Sequence, residues 1–377
     1  MTVEKPAVLV LGGAGFIGRH FVHYLLNSNV AADIRVIDKL IPQTAYLSKK
    51  FTADFAKVDF KQANLTNKVS IASCFTRDDG KEFDYVFNFA AETKGSQAPE
   101  LYQERIFNLS VNCAKEAASR KVKVFIEMST AEVYHSDEKA ATETSKIKPL
   151  TIIAKNKYRV EEELRKIPGL NLIILRPAIV YGPGAINGLT QRLVIGRIYQ
   201  YLGEELKLLW SKDLKLNTVH VKDVTRACWH IAEWYVHNEI AQRNEVQIFN
   251  LADKQNTDQE TINEHLQAIF NIKTGYHGAM ISSFAKANDD TTVHAINEKH
   301  LVPWTDLLSA NGIHVTPLTP YINKELLTNN GLTVDGSKIE RETHFTYEVP
   351  LLIRDKVNEI IKDFQSINVW PTLDAMK

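Results

Sequence analysis

The chain has 377 residues, and its 45 Lys and Arg residues balance its 45 Asp and Glu residues. This length is enough for one large domain or two ordinary ones with a full hydrophobic core. A neutral chain without a basic block gives no electrostatic reason to expect nucleic acid or an anionic membrane surface as a partner. No apolar run approaches the roughly 18–20 residues that a transmembrane helix needs, so the sequence predicts no membrane partner.

The N-terminus and the cysteines indicate a reducing compartment. Residues 1–6 lead straight into an apolar run, with neither a secretory apolar core nor an Arg-rich presequence. Cys74, Cys113 and Cys228 are far apart and lack the spacing of metal ligands. We therefore expect reduced, mostly buried thiols, no metal site and a cytoplasmic protein.

Short β-branched runs alternate with helical stretches from residue 7 to about residue 253. Most of the runs are apolar on both faces, as strands of a buried parallel sheet are. The helices between them supply the crossovers, which predicts an α/β fold with a doubly wound parallel sheet. The predicted strands lie at residues 7–11, 34–37, 85–90, 122–128, 172–175, 218–221 and 246–251.

The pattern changes after residue 253, where polar stretches interrupt it and Pro303, Pro317, Pro320 and Pro350 break it further. We expect this C-terminal third to form a smaller, irregular α+β cap over the sheet. Its best helix candidates are at residues 257–270 and 351–367, with another cap helix near 189–201. The predicted division places residues 1–185 and 215–255 in the sheet domain, and residues 186–214 and 256–377 in the cap.

The strongest signal is an apolar strand that runs into a loop containing Gly12, Gly15 and Gly18, followed by a helix. Gly12 would allow a tight turn, Gly15 would let the backbone approach a pyrophosphate, and Gly18 would let the helix pack closely. The helix start, at Phe16 and Ile17, would offer N–H groups and a positive dipole end to phosphates. This pattern predicts a dinucleotide-binding Rossmann domain.

Asp38 ends the second strand, about 20 residues after the last glycine, where a carboxylate accepts hydrogen bonds from the adenosine ribose. Such a carboxylate also repels a 2′-phosphate, although the adjacent Lys39 weakens this exclusion. The predicted cofactor is therefore NAD rather than NADP.

From Ala7 to Asp253 the chain resembles the NAD-dependent epimerase/dehydratase family, the extended short-chain dehydrogenases. The glycine loop matches the family's Gly-x-x-Gly-x-x-Gly, and nucleotide-sugar epimerases and 3β-hydroxysteroid dehydrogenase-like proteins are the members it resembles. The resemblance implies that Asn64 and Leu65 contact the adenine and that Ala90 and Ala91 flank the cofactor. It also matches Asn108 to an Asn that ties two strands together and lies near the cofactor.

Two later segments also match the family. Pro177 lies in Arg-Pro-Ala-Ile-Val-Tyr-Gly-Pro-Gly, nearly the family's consensus after strand six and close to the cofactor. Residues 219–224 match the Val-His-Val-x-Asp-Val segment that closes the sheet. The helices at 100–120 and 152–166 correspond to those that build dimers in this family, so the resemblance allows a homodimer.

The catalytic residues depart from the family's pattern. Family members use a Tyr-x-x-x-Lys pair, in which the Lys holds the nicotinamide ribose and lowers the pKa of the Tyr phenol. The alignment places Lys157 at the Lys and Ile153 at the Tyr; an alternative register pairs Thr151 with Lys155. Isoleucine cannot transfer a proton.

Two other residues are candidates for the chemistry. Thr130 fits the Ser/Thr that polarises the substrate oxygen. Glu132 follows in a loop where sugar-nucleotide dehydratases carry acidic residues, although the Asp that those enzymes place before it is Ala131 here. Both residues follow strand five, at the cofactor side of the predicted sheet.

Two functions stay open at this point. The first is an oxidoreductase that acts on a nucleotide sugar, or a similar hydroxyl or carbonyl substrate, by hydride exchange with NAD. The second is a catalytically inactive NAD-binding scaffold or regulatory protein, which the loss of the tyrosine favours.

Overall fold

A computed structural model describes residues 5–134, 139–243, 245–287, 289–327 and 331–373. Seven parallel strands form its central sheet. They are β1 (Ala7–Leu11), β2 (Asp33–Asp38), β3 (Asp59–Gln62), β4 (Tyr85–Asn88), β5 (Val124–Met128), β6 (Leu172–Pro177) and β10 (Gln247–Leu251). Their order is β10-β6-β5-β4-β1-β2-β3, which confirms the predicted α/β fold with a doubly wound sheet.

Helices cover both faces of this sheet and bury two separate apolar cores. Phe21 and Ile231 belong to the core on one face, and Ile106 and Val160 belong to the core on the other. The helices are α1 (Phe16–Ser28), α2 (Lys49–Phe55), α3 (Lys68–Phe75), α4 (Pro99–Tyr102), a π-helical turn (Gln103–Asn108), α5 (Leu109–Ser119), α6 (Ile152–Leu164) and α8 (Val221–His237). Cys74, Cys113 and Cys228 are buried and free, as predicted.

The strand order reverses at β1, which lies between β2 and β4. Leu11 at the end of β1 pairs with Ile37 on one side and Asn88 on the other. The carboxyl ends of all three strands therefore meet at one place. In open parallel sheets, ligands bind in the crevice outside such a reversal.

The cap is largely helical and has its own core, in which α7, α9, α11 and α13 pack together. Its elements are α7 (Leu189–Leu202), β8 (Leu206–Leu208), α9 (Gln259–Phe270), β11 (Thr274–Tyr276), α10 (Gly278–Ala287), α11 (Asp289–Ala310) and α13 (Arg354–Ser366). α12 (Lys338–Thr343) lies between α11 and α13 in the chain but packs on the core of the sheet. The helices predicted near 189–201, 257–270 and 351–367 are confirmed. Short 3-10 turns lie at Pro42–Thr44, Ala131–Val133, Ile240–Arg243 and Lys324–Leu327.

The expectation that residues 219–224 close the sheet was wrong. The central sheet is closed by β10, whereas β9 (Thr218–His220) pairs with β7 (Ile179–Tyr181) in a separate two-stranded sheet. Pro177 has no N–H to donate, and after it the chain changes its partner from β10 to β9.

Pro303 does not break the chain's helical path, because α11 runs through it. The adjacent Trp304 and Leu307 are buried in the core of the cap, and this packing outweighs the local preference of the proline.

The chain leaves the cap core between α11 and α13. Ile339, Phe345 and Tyr347 pack into the apolar core beneath the sheet. The exact boundaries of the two predicted domains stay a prediction. Among the described helices, none is both long and apolar enough to cross a bilayer.

Candidate functional site

A cavity of about 1780 Å³ lies at the carboxyl ends of the strands and is lined by residues of both the sheet and the cap. Pockets for one small ligand usually occupy about 300–1,000 Å³. The cavity therefore has room for a dinucleotide and a second molecule beside it.

The glycine loop forms one wall of this cavity. Gly12 has a φ of +75°, and a Cβ there would lie 2.6 Å from the Cα and N of Ala90. Its N–H donates to the carbonyl oxygen of Ile37 at 2.8 Å. Only glycine can adopt this positive φ and also allow such a close approach. The loop therefore packs directly against the ends of β2 and β4.

The first turn of α1 also faces the cavity. Gly15 is its N-cap and provides no side-chain hydrogen bond, and Phe16 and Ile17 line the cavity. A Cβ on Gly18 would lie 2.4 Å from the carbonyl oxygen of Gly12, so the glycine lets the helix pack on the loop. The uncapped N–H groups and the helix dipole fit a pyrophosphate.

Asp38 lines the cavity at the end of β2 and is 9% exposed. Its Oδ2 accepts from the Ala14 N–H and its Oδ1 from the Leu40 N–H, both at 3.0 Å. Burial raises the pKa of Asp38, although these hydrogen bonds and Lys39 oppose that shift. The carboxylate is thus fixed beside the glycine loop, where it can accept further hydrogen bonds from ribose hydroxyls.

The other residues predicted to contact the cofactor divide into two groups. Asn64, Leu65, Ala90 and Ala91 line the cavity together with the glycine loop. Pro177, Asn108 and Lys157 do not line it.

Asn108 does not tie two strands together, so that prediction was wrong. It is exposed at the end of the π-helical turn, where its side chain accepts from Gln103 at 3.1 Å. Asn88 makes the inter-strand connection instead, because its amide donates to the Glu127 carboxylate on β5 at 2.6 Å. Ser110, two residues after Asn108, completes this buried cluster.

Lys157 belongs to the same buried cluster. Its Nζ donates to the carbonyl oxygen of Met128 at 2.6 Å and lies 3.3 Å from Glu127 Oε1. Burial raises the pKa of Glu127, and the Lys157 ammonium opposes that shift. In this conformation the ammonium compensates a buried carboxylate, and its role toward a cofactor ribose stays a prediction.

Glu132 faces the cavity from the short turn after β5. Its Oε2 accepts from the Thr151 hydroxyl at 3.2 Å. The side chain is exposed to the cavity. Desolvation by the surrounding cavity walls raises the pKa of Glu132, assisted by the charge of Glu325. An upward shift makes a carboxyl group a better proton donor and acceptor for general acid–base chemistry.

Ile153 lines the cavity one turn before Lys157, on the same helix as Thr151. Thr130 lies next to Glu132 but does not line the cavity; its Oγ1 accepts from the Glu132 N–H at 3.2 Å. Tyr158 points elsewhere and donates to Glu162 at 2.9 Å. Glu132 is therefore the carboxyl group that faces the cavity beside Ile153, whereas the Tyr158 phenol is directed to Glu162.

Glu92 also lines the cavity, but its surroundings favour the ionised form. Its carboxylate accepts from the Lys94 N–H at 3.1 Å and pairs with Arg105 at 3.0 Å. Burial acts to raise the pKa of Glu92, yet these interactions outweigh it and lower the pKa. Glu92 therefore serves as a fixed anchor of the loop after β4.

Sequence reasoning missed two residues at the cavity. Arg19 donates to the carbonyl oxygens of Ala14, Ala45 and Tyr46, and so joins the glycine loop to the loop after β2. Glu325 reaches from the cap to α6, where its carboxylate accepts from the Ile152 N–H at 3.0 Å. Arg19 directly follows Gly18, and Glu325 lies in the C-terminal third, but the sequence alone assigned neither residue a contact at the cavity.

Comparison with known proteins places this architecture among characterised ones. The chain is 26% identical over 232 residues to the sterol-4-alpha-carboxylate 3-dehydrogenase ERG26 of Candida albicans, covering 59% of this chain and 65% of that protein. It is 30% identical over 194 residues to UDP-glucose 4-epimerase 2 of Oryza sativa subsp. japonica, covering 47% and 46%. The matched regions thus span less than two thirds of either relative.

A structure of MoeE5 in complex with UDP-glucose and NAD has the same fold. It superposes with a TM-score of 0.64 at 16% identity, covering 95% of this chain and 98% of that one. Residues 8–252, from β1 through β10, match the NAD dependent epimerase/dehydratase family. This chain belongs to that family.

Proposed function

We propose that this protein is an NAD-dependent enzyme that oxidises a hydroxyl group of a nucleotide sugar, or of a similar substrate, with Glu132 as its acid and base. The observation that carries the proposal is the position of Glu132, whose carboxyl group faces the cavity beside Ile153. The family's usual phenol is replaced there by a side chain that cannot transfer a proton. A carboxyl group in the same part of the cavity can take over that role.

The cofactor site fits NAD on the features that a dinucleotide requires. Gly12 and Gly15 leave room for the pyrophosphate, the first turn of α1 supplies N–H donors, and Asp38 accepts from the adenosine ribose. Asn64 and Ala90 lie farther along the same cavity, toward the adenine and the nicotinamide halves respectively. Bound NAD would supply the acceptor for a hydride from the substrate carbon.

Glu132 then acts on the substrate oxygen. As the substrate carbon is oxidised, its hydroxyl proton passes to the ionised carboxylate of Glu132, and the reverse transfer returns it. Thr151 holds this carboxylate through its hydroxyl. Thr130 keeps the Glu132 backbone in place, since its Oγ1 accepts from that N–H. Thr130 does not line the cavity, so its role toward the substrate oxygen stays a prediction.

The replacement by Ile153 favours a second candidate, an NAD-binding protein without catalytic activity. The glycine loop and Asp38 serve this function equally well. The two candidates differ in what they require of Glu132, because a scaffold needs no acid or base at this position.

The deciding experiment incubates the protein with NAD and a panel of nucleotide sugars and hydroxysteroids, following NADH absorbance and product formation. Glu132→Gln should lower kcat by about 10²–10⁴-fold and leave the Kd for NAD unchanged. Glu162→Gln, on the exposed side of α6, is the matched control and should retain full activity. Wild-type turnover that survives Glu132→Gln would refute the assigned role, and NAD binding without any turnover would favour the scaffold.

A further inference from the structure

His300 lines the cavity from α11, on the cap side. The residue is 4% exposed, and its ring packs edge-on against Tyr199, with the ring centroids 5.7 Å apart. Three residues earlier, Asn297 donates to the carbonyl oxygen of Ile322 at 2.9 Å and accepts from the Ile322 N–H at 2.8 Å. The position of the imidazole in the cavity wall is therefore fixed from both sides.

Neither ring nitrogen of His300 has a hydrogen-bond partner among the described residues. Nδ1 is fully buried, whereas Nε2 is not, so Nε2 is the nitrogen that a molecule in the cavity can reach. Buried polar groups in native proteins are nearly always hydrogen-bonded. An imidazole without a partner on a cavity wall therefore indicates a ligand that supplies one.

The His300 ring is uncharged at neutral pH, because burial and the Lys299 ammonium lower the pKa of His300 to about 4. A neutral imidazole carries one N–H and one bare nitrogen. An N–H on the buried Nδ1 would have no acceptor, and orphaned N–H groups are rarer in proteins than orphaned acceptors. The proton therefore belongs on Nε2, where it offers a donor to the cavity.

The cap side of the cavity is mostly apolar. Lys207 and Lys299 on this side already pair with glutamates, at 3.4 and 2.6 Å. Arg192 donates to the side chain of Gln259 at 3.1 Å. Apolar walls with a few placed polar groups are typical of sites for small apolar ligands. The apolar side chains of α7, β8 and α9 that line this side are Leu189, Ile195, Leu206, Leu208, Ile262 and Leu266.

We propose that His300 donates a hydrogen bond from Nε2 to an uncharged oxygen of an apolar substrate, at the cap side of the cavity. The inference rests on the proposed function, in that the same substrate presents its reacting hydroxyl group to Glu132. It narrows the substrate class to a largely apolar alcohol that carries a second oxygen, a ketone or a hydroxyl, remote from the reacting one.

The test measures binding by calorimetry to protein saturated with NADH, which cannot accept a hydride, so the probes are not oxidised. The probes are a hydroxysteroid with a ketone on the ring farthest from its hydroxyl group, and the analogue with a methylene in place of that ketone. Wild type should bind the ketone more tightly by roughly three- to tenfold, the effect of one neutral hydrogen bond. In His300→Phe, which keeps an aromatic ring without nitrogens, this preference should vanish while the NADH affinity is unchanged.

Other variants separate ligand binding from a structural role. His300→Gln keeps an N–H donor near the place of Nε2 and should retain part of the preference for the ketone. His294→Phe makes the same exchange at an exposed position of α11 and should bind both probes as wild type does. Without ligand, His300→Phe should unfold at the same or a higher urea concentration than wild type, since it removes a buried nitrogen without a partner. A large loss of stability would show that the imidazole serves the fold instead.

Equal wild-type affinity for the ketone and its methylene analogue would overturn the proposal, as would a preference that survives in His300→Phe. Uridine that binds more tightly than the ketone and loses affinity in His300→Phe would also overturn it, since His300 would then bind a nucleotide base. The measurement needs no turnover. Ketone binding through His300 in a protein without activity would therefore refute the proposed function alone. Turnover of a substrate whose KM is unchanged by His300→Phe would refute this inference alone.

Discussion

The Thr151 hydroxyl donates a hydrogen bond to Glu132 at 3.2 Å, and its oxygen accepts from the Ala154 N–H at 3.1 Å. Thr151 is the N-cap of α6. One side chain thus both starts the helix that carries Ile153 and orients the carboxyl group assigned to catalysis. Replacing Thr151 therefore tests how the start of α6 is connected to Glu132 in the turn after β5.

Thr151→Val should raise the pKa of Glu132, because the Thr151 hydrogen bond favours the charged carboxylate. With Glu132 acting as a base, the acidic limb of the pH dependence of kcat then moves to higher pH. The lost cap should also cost about 1 kcal/mol of unfolding free energy. Thr151→Ser keeps both interactions and should behave as wild type; an unmoved pH limb in Thr151→Val would contradict the role of Glu132.

Gly12→Ala should destabilise the protein more than Gly169→Ala. Both glycines have nearly the same φ, +75° and +74°, but a Cβ at Gly169 meets nothing within 4 Å. The shared backbone strain costs roughly 1–2 kcal/mol, and overpacking against Ala90 adds about 1–3 kcal/mol at Gly12 alone. Urea unfolding measures both variants, and NAD affinity should fall only in Gly12→Ala; equal destabilisation would show that the loop can move away from β4.

Asp38→Asn should change the choice of cofactor. Removing the carboxylate removes the repulsion of a 2′-phosphate, so the affinity for NADP relative to NAD should rise at least about tenfold. Asp33→Asn is the control, since Asp33 starts the same strand but is exposed. Calorimetry with both nucleotides gives the ratio, and wild-type NADP that binds as tightly as NAD would refute the assigned role of Asp38.

The cofactor end of the site could be predicted from the sequence because its parts are close together in the chain. The glycine loop follows β1 directly, and Asp38 ends the next strand, so local spacing determines their geometry once the fold class is known. The same argument failed for Asn108 and Asn88. Asn88 ends β4 and Asn108 ends the helical turn that follows it, and only side-chain packing decides which of them reaches Glu127.

The cap side of the cavity could not be predicted, since it depends on burial and on contacts between distant segments. Arg192 of α7 lines the cavity, whereas Arg197 of the same helix lies over Phe270, with its guanidinium carbon 5.3 Å from the ring centroid. Nothing in the local sequence distinguishes these two arginines. Glu325 reaches α6 from 173 residues away along the chain. The sequence did not predict α11, because Pro303 interrupts its helical pattern. In the structure the packing of Trp304 outweighs this local effect of the proline.

Lys157→Met should destabilise the protein by about 3–5 kcal/mol, because it leaves the buried Glu127 carboxylate without its cation. Lys157→Met combined with Glu127→Gln should recover much of that loss. The effect depends on pH with a definite sign. Burial raises the pKa of Glu127 in the folded state above its ordinary value of 4.5. The free energy of unfolding therefore falls as the pH rises from 4.5 through the raised pKa, because the buried carboxyl group then loses its proton.

The loss of unfolding free energy in Lys157→Met, measured by urea unfolding against wild type, should therefore shrink as the pH falls toward 4.5, the ordinary pKa of a glutamate. A deficit that is independent of pH would instead indicate lost packing. If NAD affinity falls in the single variant but returns in the double variant, Lys157 acts on the cofactor only through the buried cluster.

Ile153→Tyr tests whether the family's usual chemistry could be restored. A phenol at this position would face the cavity. It would gain little from Lys157, whose ammonium is bound to Met128 and Glu127, so its pKa should stay near the ordinary value of about 10. In a Glu132→Gln background, Ile153→Tyr should therefore restore turnover only as the pH approaches about 10. Ile153→Phe, which fills the same space without a hydroxyl, should restore none. Full rescue at neutral pH would mean that Lys157 leaves Glu127 when the cofactor binds, and that the lysine rather than Glu132 sets the proton chemistry of this site.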